Sequence, residues 1–237
     1  MVAPYPSPAE TCIIQAAEEL MRETMARYDP SHDAYHVERV RKTALHLARS
    51  ISADPTSPKP DLLTVELSAL LHDVLDKKYV PEAQSSDPYA FFLPFFLTWA
   101  RTYGLDLVTD GRAKQIAMII DNVSWSTEKK RREQGIWGRW HDECLELHCV
   151  QDADRLDAIG AFGIMRCAAY SATVNRPLYI SDQDPAHDTS AVHHFYDKLL
   201  HIRDRLKTSP GRKLGEQRHQ LMLQFLEAVK SEYQDEA

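Results

Sequence analysis

Ala69-Leu70-Leu71-His72-Asp73-Val74-Leu75-Asp76-Lys77-Lys78-Tyr79 decides how the rest of the chain is read. Leu63, Leu67, Leu70, Leu71 and Val74 recur at the three- and four-residue spacing of a buried helical face, so His72 and Asp73 arrive on the core side. An imidazole beside a carboxylate at the inner end of a buried helix must find partners, because a charge taken out of water alone is costly. A divalent metal would serve both groups. An adjacent His-Asp pair equally describes a cap or a surface pair, so the remainder of the chain has to decide.

The 237 residues suit one domain, 1–237, with a core over about 9–234. Hydrophobic content of 43% and charged content of 27% are ordinary globular values, which argues against disorder and against a membrane protein. The longest apolar run, Tyr89 to Ala100, is short and holds Pro94, so no bilayer span is expected. Met1 to Glu10 has three prolines and no basic, apolar leader, and a cytoplasmic protein follows. A net charge of −7 argues against stable nucleic-acid binding, which needs a basic footprint to release counterions. The four cysteines, Cys12, Cys144, Cys149 and Cys167, are too sparse for a disulfide scaffold and are expected as free thiols.

With only 8 glycines and little alternation, the chain reads as all-α. A first helix is predicted from about Ala9 to Tyr28. The next begins near Asp33, with His36 in its opening turn and Val37, Val40, Ala44, Leu47, Ala48 and Ile51 as a buried stripe. Ser52 to Pro60 is a loop, and Asp61 caps the helix that delivers His72 and Asp73. Val80 to Pro88 reads as a lid or rim. An aromatic helix follows from Pro88 to Tyr103, its Phe91, Phe92, Phe95, Phe96 and Trp99 read as core. Another runs over about Thr109 to Val123, with Asp110-Gly111 as its start and not a hairpin. Lys129-Lys130-Arg131-Arg132 reads as a solvated loop, with phosphate capture or a nuclear address as the sharper alternatives. Two final helices, about Thr189 to Leu206 and Leu214 to Tyr233, flank a turn at Thr208-Ser209-Pro210-Gly211.

A further cluster lies in Gln151-Asp152-Ala153-Asp154-Arg155-Leu156-Asp157, where Asp154 and Asp157 are one turn apart and share a side. Leu156, Ile159, Gly160 and Gly163 predict a tightly packed helix face beside them. His141, Cys144, His148 and Cys149 have loosely zinc-like spacing, but two of the pairs fall on opposite helix faces. His193-His194 reads as a pocket-closing or core pair. No Gly-rich phosphate loop and no Gly-x-Ser-x-Gly elbow is present.

His36, then His72-Asp73, then an aspartate opening a late helix is the ordered pattern H…HD…D, and here the chain resembles the HD-domain metal-dependent phosphohydrolases. The likeness is closer to small stand-alone HD proteins, through His32-Asp33-x-x-His36-x-x-Arg39-Val40, Leu70-Leu71-His72-Asp73, and Asp152-Ala153-Asp154-Arg155-Leu156-Asp157-Ala158-Ile159-Gly160-Ala161. It continues through His194-Phe195-Tyr196-Asp197-Lys198-Leu199 and covers most of the chain.

That resemblance implies a single-domain helical bundle with His36, His72, Asp73 and Asp154 as metal ligands, Asp152 being the alternative to Asp154. It assigns Asp76 to orienting the attacking water. Arg39, Lys77, Arg155, Asp157 and Lys198 follow as substrate contacts, with Lys77 and Arg155 also close to the chemistry. Two imidazoles and two carboxylates suit Mn²⁺, the preferred ion, or Fe²⁺, Co²⁺, Ni²⁺ or Zn²⁺, better than Ca²⁺ or an all-oxygen Mg²⁺ site. The activity implied is hydrolysis of nucleotides, most specifically of a nucleoside triphosphate to monophosphate and pyrophosphate. A 5′-nucleotidase or phosphodiesterase is the near alternative. An HD-fold hydratase or di-iron oxygenase, or a non-catalytic nucleotide-binding regulator, is the distant one. Assembly into a homo-oligomer is left open.

Overall fold

The computed structural model describes residues 5–26, 28, 33–76, 80 and 85–235. Eleven α-helices carry the described chain: α1 (Pro8–Met25), α2 (Ala34–Ser52), α3 (Leu62–Leu71), α4 (Pro88–Tyr103), α5 (Arg112–Ile120), α6 (Trp125–Glu133), α7 (Arg139–Glu143), α8 (Leu145–Asp157), α9 (Gly160–Thr173), α10 (Ala191–Asp197) and α11 (Ser209–Asp235). There is no strand among the described residues, so the all-α class is as expected. By their contacts the described residues form two compact units, one ending at Gln151 and one starting at Asp152, with the boundary inside α8.

In the first unit α3 is the central element. Every residue from Leu63 to Leu71 is buried, and α1, α2 and α5 pack around it. Such a helix has no exposed face and needs neighbours on all sides, including a partner for buried Glu66. Ile13, Ala17 and Met21 of α1, Val37 of α2, Leu67 and Leu70 of α3, and Phe92 and Phe96 of α4 supply one continuous core. Caps fix where the helices start. Ser7 and Glu10 form a reciprocal capping box on α1, and Asp61 accepts the Thr64 N–H at 2.7 Å to open α3. Asp87 caps α4 through the Ala90 N–H at 3.0 Å. Gly111, at φ +88, precedes α5, the helix start expected for Asp110-Gly111.

In the second unit α9 packs on α11, and α10 packs on α9. The junction between α8 and α9 turns at Gly160, whose φ is +73. A Cβ there would lie 2.9 Å from Arg218 Cγ, so both the backbone and the close approach of α11 require glycine. Arg218 Nη1 donates to the Leu156 carbonyl, closing one of the carbonyls that the end of α8 leaves open.

Several boundaries differ from the sequence reading. Lys129 to Arg132 lie in α6, not in a loop. Ser124 caps that helix through the Thr127 N–H at 3.1 Å, and Arg132 reaches buried Glu128 one turn earlier at 2.9 Å. The segment predicted as one helix over Thr189 to Leu206 is α10 followed by short 3₁₀ turns at Leu199–His201 and Arg203–Arg205. Thr208 to Gly211 open α11: the Thr208 hydroxyl accepts the Gly211 N–H at 3.0 Å, and Pro210 takes a first-turn position where its missing N–H costs nothing. Most of the rim read at Val80 to Pro88 lies outside the described residues.

Phe96→Ala, which empties a fully buried site, is expected to lower unfolding stability by about 3–5 kcal/mol. Asp61→Ala, which removes only the α3 cap, is expected to cost about 1 kcal/mol. Urea unfolding of both variants measures the contrast, and a Phe96→Ala cost no larger than the cap's would contradict the core described.

Candidate metal centre

The first histidine is placed by a cap. Asp33 sits in extended backbone before α2 and accepts the His36 N–H at 2.8 Å, which makes His36 the third helical residue. From there its side chain falls on the stripe of Val37, Val40 and Ala44 and is fully buried. The second histidine is placed by a helix end. α3 stops at Leu71, His72 is the C-cap, and turns follow in which the Val74 N–H reaches Leu71 O at 3.2 Å and the Asp76 N–H reaches Asp73 O at 3.1 Å.

These two ends bring three donors together. Asp73 Oδ2 is 3.4 Å from His36 Nε2, and Asp73 Oδ1 is 3.4 Å from His72 Nε2. The imidazoles meet edge to face with centroids 5.5 Å apart. One ligand atom from each residue lies within 4.8 Å of the others, and no other group of three such residues occurs among the described residues. The His72 tautomer follows from its second nitrogen. Nδ1 is 2.8 Å from the Ala69 carbonyl, which can only accept, so Nδ1 carries a proton and the ring turns its Nε2 toward Asp73. Metal-ligating histidines are oriented by such a bond to a backbone carbonyl. Two imidazole nitrogens and a carboxylate match a first-row divalent ion.

The other predicted residues are placed as follows. Asp76 is half-buried, one turn beyond His72 and Asp73, and Arg39 is half-buried on α2, one turn beyond His36. Lys77 lies outside the described residues. Asp154 belongs to the second unit, half-buried in the last turn of α8. Its alternative, Asp152, is fully buried and committed elsewhere: its carboxylate accepts the Lys207 N–H at 2.9 Å and both the N–H and hydroxyl of Thr208 at 2.7 Å. Burial pushes its pKa up, and these backbone donors oppose the rise. Arg155 is buried with Nη1 donating to the Arg205 carbonyl at 2.8 Å, Asp157 pairs with Arg166 at 3.2 Å, and Lys198 is half-buried at the end of α10.

The zinc-like set does not assemble. His141 Nε2 meets Asn122 Oδ1 at 3.0 Å, His148 Nε2 meets the His141 carbonyl at 2.8 Å, and burial pushes the Cys144 thiol up to about 11. Two features escaped the sequence reading. The Ala69 carbonyl leaves no mark in a side-chain pattern, although a histidine at a helix C-terminus is a residue type that bonds the last carbonyls. The carboxylate of Glu66, buried six residues before His72, stood concealed inside an apolar run.

Mn²⁺ added at 100 times its dissociation constant is expected to raise stability by about 2.7 kcal/mol, and His72→Ala to abolish that gain. Asp152→Ala is expected to do the reverse: it keeps the Mn²⁺ gain while lowering stability by about 3 kcal/mol, because three donors lose their acceptor. Thermal and urea unfolding with and without metal check both outcomes. A gain that survives His72→Ala would place the ion elsewhere.

No protein-family model matches the chain. The chain is 32% identical to YpgQ of Bacillus subtilis over 201 residues, covering 85% of this chain and 84% of that protein. The crystal structure of Bacillus subtilis YpgQ in complex with ADP superposes with a TM-score of 0.68 at 27% identity, covering 94% of this chain and 96% of the other. An HD-superfamily hydrolase from Bacillus thuringiensis superposes with a TM-score of 0.67 at 27% identity over 95% and 98% of the two chains. With its all-helical build and its His-His-Asp cluster, the chain belongs to the family of Bacillus subtilis YpgQ, whose structural neighbours are HD-superfamily hydrolases.

Proposed function

We propose that this protein is a metal-dependent phosphohydrolase acting on nucleotides, and most specifically that it converts a nucleoside triphosphate to the monophosphate and pyrophosphate. The observation that carries the reading is the meeting of His36, His72 and Asp73 within 4.8 Å, with the His72 tautomer set by Ala69. Two comparisons support it: the fold is shared with HD-superfamily hydrolases, and a relative binds ADP in its crystal structure.

His36, His72 and Asp73 would hold the ion, and the family resemblance adds Asp154 as a fourth ligand. A divalent ion bound there lowers the pKa of water and neutralises charge that develops on phosphorus; Mn²⁺ is the ion we favour. The roles of the chain's own residues follow. Asp76 accepts the proton of the attacking water. Water oxygen forms the new bond to the α-phosphorus as the bond from that phosphorus to the bridging oxygen breaks, and pyrophosphate leaves. Phosphate oxygens need several cations, and Arg39, Lys77 and Arg155 are the candidates for them, with Lys198 as a further substrate contact.

A panel of nucleoside mono-, di- and triphosphates with Mn²⁺, in which phosphate and pyrophosphate are measured separately, tests the reading. We expect pyrophosphate from triphosphates. His72→Ala and Asp154→Ala should each lower kcat/KM by at least about 10³-fold, and Asp76→Asn should lower kcat by about 10²–10⁴-fold with little change in KM. Release of phosphate from monophosphates alone would turn the assignment to a 5′-nucleotidase, and full turnover by His72→Ala would end it.

A further inference from the structure

We infer that Arg41 and Glu66 are positioning residues for the metal cluster: an ion pair between a half-buried guanidinium and a buried carboxylate that fixes the register of α2 against α3. The inference rests on the metal reading above, since α2 carries His36 and α3 delivers His72 and Asp73. Arg41 Nε donates to Glu66 Oε1 at 2.7 Å, and Arg41 Nη1 donates to Glu18 Oε2 of α1 at 2.9 Å. Glu66 is 3% exposed, and its other oxygen accepts from the Tyr5 hydroxyl, which also donates to the Leu62 carbonyl at 3.2 Å. One guanidinium therefore ties three helices, and both oxygens of one buried carboxylate are satisfied.

Stability alone is a poor reason for such a pair. The cost of desolvating the Glu66 carboxylate and much of the Arg41 guanidinium offsets a large part of their attraction, and apolar replacements of such pairs are often neutral or stabilising. Direction is what apolar contacts lack. Apolar packing such as that of Val37 with Leu63, Leu67 and Leu70 would hold the two helices together but would tolerate a slide of an ångström, because the hydrophobic effect has no preferred geometry. Arg41 Nε and Nη2 close on one oxygen of Glu66 while the Tyr5 hydroxyl holds the other, and a slide at the pair would break these directed bonds. Along α2, Arg41 stands five residues from His36, and along α3, Glu66 stands six residues from His72, so a slide at the pair is delivered directly to donors that must share one ion.

The test is the double variant Arg41→Met/Glu66→Leu, with urea unfolding of the metal-free protein beside Mn²⁺ titration followed by the electron paramagnetic resonance of the free ion. We expect an unfolding midpoint equal to or above the wild type's and a Mn²⁺ dissociation constant raised at least 10-fold. A pair that only stabilises the fold would give the opposite result, a lower midpoint with Mn²⁺ affinity within twofold of wild type, and that would overturn the inference. Should the double variant not fold, Arg41→Lys/Tyr5→Phe, which keeps the charges and loosens the geometry, is expected to weaken Mn²⁺ binding about threefold, and unchanged affinity there is equally fatal. Wild-type protein that binds no Mn²⁺ would remove the metal reading and this inference together. Wild-type binding with unaltered variants removes this inference alone.

Discussion

Holding two imidazoles and a carboxylate within 4.8 Å of one another at the inner end of a fully buried helix is the constraint on which the first unit depends. Each group keeps a lone pair or a charge aimed at the same small volume, and the interior offers little water to answer them. A divalent cation held there would answer all three at once. The apolar bulk of α3 then has a second use beyond stability: with every residue from Leu63 to Leu71 buried, the helix cannot rotate to relieve His72 and Asp73 without exposing leucines. The Ala69 carbonyl adds the finer adjustment, because a ring held at Nδ1 presents Nε2 in one direction only.

Much of this was legible in the residues. His72-Asp73 at the end of a leucine stripe, the helix start near Asp33, Asp61 as a cap, and the aromatic helix Pro88–Tyr103 all combine strong periodicity with a strong cap, so local and tertiary preferences agree. The misreadings fall where they disagree. The α6 helix has almost no apolar face, and its charges conceal a cap at Ser124 and the inward turn of Glu128. Thr208-Ser209-Pro210-Gly211 has the composition of a turn, yet Pro and a threonine cap also suit a first helical turn, and Asp152 supplies the acceptor that selects this outcome. A long-range acceptor of that kind leaves no trace in local spacing.

The aspartates of α8 show why spacing alone left the alternatives open. Residues two apart on a helix point about 200° from each other, so Asp152 and Asp154 cannot serve one place. Nothing local says which of them turns inward. The structure separates their duties in the second unit: Asp152 gathers the entry to α11, and Asp157 holds Arg166. Asp154 is half-buried, and it is the one that the family resemblance implies as a ligand.

The α2 helix serves two partners from two stripes. His36, Val37, Val40 and Ala44 are buried, while Glu38 pairs with Arg22 of α1 and Arg41 reaches both Glu18 and Glu66. A helix gripped on one side by apolar contact and on the other by directed charge has its rotation set by the first and its translation set by the second. Metal donors at helix ends are sensitive to both, because a rotation of one residue step, about 100°, or a slide of one rise, about 1.5 Å, moves an imidazole out of reach. The polar lining between α1 and α2 is therefore best understood together with the metal donors, as the part of the unit that keeps His36 where Asp73 can meet it.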